Sequence, residues 1–106
     1  MSSKRNIPDS KADQWVGEHI KMLRTQASMT QLQLGRKVNI FLQQVERYEK
    51  GARIPVTLME ALAEALDTPI PKRVIRKIVN TRKLEVETKT TRDDELLELY
   101  KEAFAE

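Results

Sequence analysis

The chain has 106 residues and no cysteine, which excludes disulfide bonds and metal sites built on thiolates. Its formal net charge is only +3, but residues 1–83 carry 16 Lys and Arg against 8 Asp and Glu, whereas residues 84–106 carry 3 against 8. The basic part suggests a polyanion as partner and the acidic end a separate role, although an ordinary mixed surface would give the same balance. There is no signal peptide and no long apolar run, so we expect a soluble cytoplasmic protein without membrane contact.

The N-terminal part predicts a tail followed by a first helix. Residues 1–12 are polar and lack periodicity, which is typical of a flexible segment. The first helix should span about Gln14 to Ala27, with Asp13 as its N-cap. Apolar residues at helical spacing form one core-facing stripe on it: Val16, Ile20, Leu23 and Ala27.

The middle of the chain carries the strongest signal, which is a pair of short helices around a tight turn. Helix 2 should begin at Gln31 after the N-cap Thr30. Helix 3 should span about Leu42 to Glu49, with Gly51 ending it as a C-terminal glycine does.

Two residues suit the crossing and the turn of this helix pair. Gly35 is small enough to let the two helices approach closely, and Asn39 tolerates the positive φ that such a turn needs. The inner seam would be apolar throughout: Leu34, Val38, Ile40, Val45 and Tyr48. The exposed positions of helix 3 are Gln43, Gln44 and Arg47, whose side chains can hydrogen-bond base edges. The segment therefore predicts a DNA-reading function.

Helices 4 and 5 follow two proline-marked loops. Helix 4 should follow Pro55 and end near Leu66, and helix 5 should follow Pro71 and run to about Arg82. Residues 84–88 alternate apolar and polar side chains, which is a weak strand signal and fits an extension of helix 5 equally well.

A last helix should cover about Arg92 to Ala105, after a capped start within residues 91–94. A helix of this length is marginal on its own, so its apolar stripe must pack on its own domain or on a second subunit. The stripe consists of Leu96, Leu97, Tyr100, Ala103 and Phe104.

Residues 16–70 together resemble a lambda-repressor-like, Xre-type helix-turn-helix domain. The motifs that carry the resemblance are Val16-Gly17-Glu18-His19-Ile20 with Leu23-Arg24, Met29-Thr30-Gln31, Val45-Glu46-Arg47-Tyr48-Glu49-Lys50-Gly51, Pro55, and Leu62-Ala63-Glu64-Ala65-Leu66. The stretch from Phe41 to Gly51 is similar to a bacterial subgroup of small regulators with a C-terminal extension. The resemblance implies an all-α fold: a five-helix DNA-binding domain, at residues 13–83, with helix 3 in the major groove, and an additional C-terminal helix in residues 84–106.

The resemblance also implies which residues contact DNA. By position, Thr30 and Gln31 lie at the N-terminus of helix 2, where backbone amides favour a phosphate. The side chains expected in the groove are Leu42, Gln43, Gln44 and Arg47, and those expected on phosphates just past helix 3 are Lys50 and Arg53. An ion pair between Arg24 and Glu49 would tie helix 1 to the end of helix 3.

One residue departs from the family pattern. The position before helix 3 is usually Ser or Thr, and here it is Phe41. A missing side-chain cap costs about 1 kcal/mol. Phe41 would either pack against the core or lie on a DNA sugar or a thymine methyl, which leaves the base preference at that edge open.

These features predict a sequence-specific transcriptional regulator, a repressor, that binds a two-fold-related site on double-stranded DNA as a homodimer and is then associated with the bacterial nucleoid. The expected dimer contacts are Leu84, Val86, Leu96, Leu97, Tyr100 and Phe104. Two alternatives stay open: an antitoxin-type autorepressor whose residues 84–106 bind a toxin protein, and a protein adaptor that does not read DNA. We expect no cofactor, no metal and no enzymatic activity, because the chain has one histidine, no cysteine and no glycine-rich phosphate loop.

Overall fold

The computed structural model describes residues 10–105, and within that range the chain forms six α-helices and no strand. The helices are α1 (Lys11–Gln26), α2 (Gln31–Val38), α3 (Leu42–Glu49), α4 (Val56–Ala65), α5 (Lys72–Thr88) and α6 (Asp93–Ala103). The predicted all-α class is confirmed, and so are the predicted bounds of α3 and the predicted starts of α2 and α4. None of the described helices combines the length and the apolar character that crossing a bilayer demands.

All six helices contribute to one hydrophobic core. α1 packs against α3 and α6, α2 packs against α3 and α4, and α5 lies between α4 and α6. The largest fully buried side chains come from every helix and from the loop before α4: Val16, Ile20, Leu34, Val45, Ile54, Met59, Leu62, Val74, Ile78, Leu96, Tyr100 and Phe104. The C-terminal helix therefore contributes fully buried side chains to the core, as the helix pair around the turn does.

The first helix begins earlier than the sequence predicts. Its N-cap is Ser10, whose hydroxyl oxygen accepts a hydrogen bond from the amide of Asp13 at 3.0 Å. Asp13 itself is only 2% exposed and lies inside the helix. The predicted cap at Asp13 and the predicted tail over residues 10–12 are therefore wrong. The rest of that tail, residues 1–9, lies outside the described part of the chain.

The alternating residues 84–88 belong to a helix. α5 continues to Thr88 and ends where Lys89 adopts left-handed backbone with φ 57°. The strand expectation is wrong, and the extension of helix 5 is confirmed. The predicted capped start of α6 is also wrong. Its N-cap is Arg92, whose guanidinium has no acceptor atom for the amides of the first turn. The Arg92 amide instead donates to the Glu85 carboxylate at 2.9 Å, which joins the two helices at that point.

The apolar stripe of α6 packs inside its own chain. Leu96 and Tyr100 are fully buried, Phe104 is 2% exposed, and Leu97 is half-buried. These four predicted dimer contacts are therefore core residues, because the stripe covers α1 and α5 of the same molecule. Of the six predicted contacts only Leu84 (41% exposed) and Val86 (76% exposed) remain at the surface.

The start of α6 also caps the start of α1. The Asp93 carboxylate accepts hydrogen bonds from the backbone amides of Lys11 and Ala12, each at 3.1 Å. Helix N-termini leave such amides without intrahelical partners, and a negative charge is favourable there. Partial burial would raise the pKa of Asp93, but the nearby Ser10 hydroxyl and the hydrogen bonds from these amides lower it below its ordinary value. The last helix thus supplies the hydrogen-bond acceptor for the first amides of α1.

A glycine whose importance the sequence did not reveal sets the distance between α1 and α3. A Cβ atom on Gly17 would fall on the carbonyl oxygen of Tyr48 and lie 3.0 Å from that of Glu49. Gly17 is itself buried in mid-helix, where glycine costs about 1 kcal/mol relative to alanine. The close approach of the two backbones accounts for its presence.

We predict that Gly17→Ala destabilises the fold, because the added methyl group must push α1 away from the end of α3. Overpacking of this kind costs about 1–3 kcal/mol, against the gain in helix propensity. Urea unfolding followed by Trp15 fluorescence measures the free energy, with Glu18→Ala at the exposed neighbouring position as control. Equal or higher stability of Gly17→Ala would contradict the close contact.

Candidate nucleic-acid interface

The turn between α2 and α3 has the geometry that its sequence predicts. Asn39 adopts left-handed backbone, with φ 63° and ψ 45°, and its amide donates to the carbonyl oxygen of Gly35. The amide of Ile40 donates to the same oxygen at 2.9 Å. A Cβ atom on Gly35 would lie 2.7 Å from the carbonyl oxygen of Ile40. The predicted need for a small residue and for a residue that tolerates positive φ is confirmed.

The two helices of the pair are capped differently. At α2 a full capping box forms: the Thr30 hydroxyl accepts from the Gln33 amide at 3.0 Å, and the Gln33 side chain accepts from the Thr30 amide at 2.8 Å. At α3 only half a box forms, because the Phe41 ring cannot accept a hydrogen bond. The Gln44 side-chain oxygen accepts from the Phe41 amide at 3.1 Å. This bond compensates in part for the missing cap.

A buried ion pair anchors the C-terminal end of α3. Arg24 of α1 donates to both oxygens of Glu49, with Nε at 2.6 Å from Oε2 and Nη2 at 3.0 Å from Oε1. The Arg24 guanidinium also donates to the carbonyl oxygen of Met29 at 2.9 Å, and the Gln31 side-chain amide donates to Glu49 at 2.9 Å. The predicted ion pair is confirmed, and it joins α1, the α1–α2 loop, α2 and α3.

Two of the predicted base-reading side chains are available for hydrogen bonding. Gln43 and Arg47 are exposed, and neither side chain hydrogen-bonds or ion-pairs with another residue among those described. Lys50, just past α3, is exposed in the same way. Leu42 is half-buried at the start of the helix. α3 therefore presents one amide and one guanidinium on a helix that is held at its far end.

Two other predicted contacts have structural partners in addition. The Gln44 oxygen is used to cap α3, so a two-bond contact with adenine through this residue would have to share that oxygen. The Gln31 amide is used on Glu49, which ties this residue to the buried ion pair. Thr30 lies exposed at the N-terminus of α2, where the remaining backbone amides favour an anion.

Arg53, which the resemblance places on a DNA phosphate, is paired with two carboxylates of its own chain. Its Nε donates to Asp13 at 3.0 Å and its Nη1 donates to Glu85 at 2.9 Å, so that it joins α1 to α5. Burial alone would lower the pKa of Arg53, but the hydrogen bond to Glu85 and the charge of Asp13 raise it above its ordinary value. The side chain therefore holds α1 to α5, and a phosphate would have to compete with these two carboxylates for it.

Three exposed cations near the helix pair escaped the sequence reasoning. Lys21 lines an open depression together with Thr30 and Gln31, at the N-terminus of α2. Arg36 and Lys37 lie in the last turn of α2. Spacing on α1 could have revealed Lys21, since it is one helical turn before Arg24. With Lys50 these residues give the helix pair a positive surface.

A comparison with protein families identifies the class. A family model described as Helix-turn-helix matches residues 20–73, which is half of the chain and contains the whole of α2, α3 and α4. The chain therefore belongs to the helix-turn-helix family. Its fold and its relatives make it a lambda-repressor-like, Xre-type member.

Individual relatives share this part of the chain. It is 34% identical over 56 residues to an uncharacterized HTH-type transcriptional regulator of Sinorhizobium medicae and to one of Rhizobium meliloti, over 52% of this chain and 40% of each relative. It is 34% identical over 59 residues to an uncharacterized transcriptional regulator in the ATPase CF(0) region of Rhodospirillum rubrum, over 55% of both chains. The chain thus spans less than two thirds of these relatives. No solved structure matches it significantly.

We predict that Glu49→Ala lowers the free energy of unfolding by about 3–5 kcal/mol, because it leaves the Arg24 guanidinium buried without a counter-charge. Urea denaturation at pH 7 measures the change. The control is Glu46→Ala, which removes an exposed carboxylate from the same helix and should change stability by less than about 0.5 kcal/mol. Equal effects of the two substitutions would contradict the anchoring role.

Proposed function

We propose that this protein is a sequence-specific DNA-binding transcriptional regulator, a repressor, in which α3 reads base edges in the major groove. The observation that carries the proposal is that the side chains of Gln43 and Arg47 are exposed and available for hydrogen bonding. Both project from a helix fixed by a buried ion pair, and neither has a hydrogen-bonding partner among the described residues. Preorganised amide and guanidinium groups are what direct base recognition uses.

The backbone of the DNA would be held beside this helix. Thr30 and the free amides at the start of α2 suit one phosphate, with Lys21 in the same depression. Lys50 suits a phosphate beyond the other end of α3. Such contacts fix the position and orientation of a reading helix without carrying sequence information.

A homodimer is part of the proposal. α3 has eight residues and can reach only a few base pairs, so two copies on a two-fold-related site would supply the specificity of a regulator. Because the stripe of α6 is buried, the dimer contact would use the exposed residues near the end of α5, Leu84 and Val86. A toxin protein, in the antitoxin alternative, would likewise have to bind the exposed surface of residues 84–106, because the apolar stripe of α6 is buried.

We predict that Arg47→Ala and Lys50→Ala weaken DNA binding in different ways. Selection of bound fragments from a random DNA pool should yield one preferred sequence for the wild type. Arg47→Ala should cost about 1–3 kcal/mol on that sequence and relax the preference at one position, whereas Lys50→Ala should weaken binding to all sequences alike and reduce the salt dependence by about one ion.

Fluorescence anisotropy over a range of salt concentrations separates these effects. Binding by the wild type with no preferred sequence would overturn the proposal of a sequence-specific regulator. Equal losses on every sequence from both substitutions would overturn the assignment of roles within α3.

We predict that Val86→Glu converts the protein to a monomer, because a buried charge at a dimer contact has no partner. Sedimentation equilibrium measures the mass, with Glu87→Gln at the exposed neighbouring position as control. DNA binding by Val86→Glu should then require a higher protein concentration on a paired site and be unchanged on a single half-site. A wild-type monomer at all concentrations would contradict the dimer.

A further inference from the structure

We propose that the depression beside the α2–α3 turn binds the methyl edge of a thymine, so that Phe41 determines part of the sequence preference. The inference rests on the proposed function and adds to it one base and the residue that selects it. The occupant is the 5-methyl group of a thymine in the major groove, at the edge of the site that the start of α3 faces.

The depression has an apolar side that is open to solvent. Leu32, Ile40, Phe41 and Leu42 form this side, Arg36, Asn39 and Gln44 form a polar side, and the volume of the depression is about 360 Å³. The Phe41 side chain is 77% exposed and Leu32 is 46% exposed. Phe41 therefore does not pack into the core, which removes one of the two roles that its sequence position left open. Exposed apolar side chains gathered at one place mark a contact surface.

The backbone of Phe41 is held in place, which sets where its side chain leaves the chain. Phe41 has φ −78° and ψ 155°, the extended conformation of a helix N-cap, and its amide is held by the Gln44 side chain. It immediately precedes Leu42 and Gln43 at the start of α3. The ring is thus presented at the leading edge of the proposed reading surface before any DNA is bound.

Among the four bases, thymine is the one that offers a hydrocarbon group in the major groove. The other groups presented there are hydrogen-bond donors and acceptors, which would meet the polar side of the depression and not Phe41 with its apolar neighbours. The positive charge of Arg36 suits the phosphate of the same nucleotide. Arg36 lines the depression and makes no salt bridge to a described carboxylate. Its guanidinium would contact an adjacent phosphate while the methyl group meets the apolar side chains.

The test replaces each thymine of the selected DNA sequence, one at a time, with deoxyuridine, which keeps base pairing and removes only the methyl group. One position in each half-site should weaken wild-type binding about fourfold, the effect of one buried hydrocarbon group. Phe41→Ala should bind the thymine form correspondingly more weakly and lose most of the deoxyuridine effect. Arg36→Gln should keep the deoxyuridine effect and reduce the salt dependence by about one ion.

Val79→Ala is the control, because it trims another exposed apolar side chain far along α5 and should match the wild type. Equal wild-type binding of thymine and deoxyuridine at every position, with the sequence preference retained, would overturn this inference alone. An undiminished deoxyuridine effect in Phe41→Ala would overturn it as well. The absence of any preferred sequence would overturn the proposed function and the inference together.

Discussion

The buried contact between Arg24 and Glu49 is the constraint on which the geometry of the helix pair depends. It fixes the end of α3 against α1 through two hydrogen bonds, and its arginine also holds the loop that leads into α2. Buried ion pairs of this kind contribute little net stability and are expensive to break. Their value here is positional, since α3 has only eight residues and no side-chain acceptor at its N-cap. Gly17 complements the pair by letting the two backbones approach closely.

The helix pair was predictable from the sequence because its determinants are local. Thr30, Gly35 and Asn39 each act on backbone within a few residues, so their chemistry can be read from spacing alone. Glu49 was identified by family resemblance, and only its environment in the fold explains its partner.

Errors arose where a partner lies far along the chain. Asp13 is a residue type that is common at N-caps, but the true cap is Ser10. Asp13 is instead held by Ser10 and by Arg53, which lies forty positions away. The pairing of Arg53 was hidden for the same reason, since the sequence does not show that two carboxylates are brought to it. The stripe of α6 has the same periodicity whether it covers its own chain or another, so only the folded structure decides between the two. Phe41 is exposed although its residue type is usually buried, so its position at the surface could not be inferred from the sequence.

The contact of Asp93 with the first amides of α1 links residues that are about eighty positions apart. A ribosome releases the chain from its N-terminus, so α1, α2 and α3 emerge long before the carboxylate that caps α1 and the side chains of α6 that cover it. During that interval Trp15 and His19 lack their contacts with the Phe104 ring. Because Arg24 of α1 anchors the end of α3, the support of the helix pair is complete only after α6 has packed on α1.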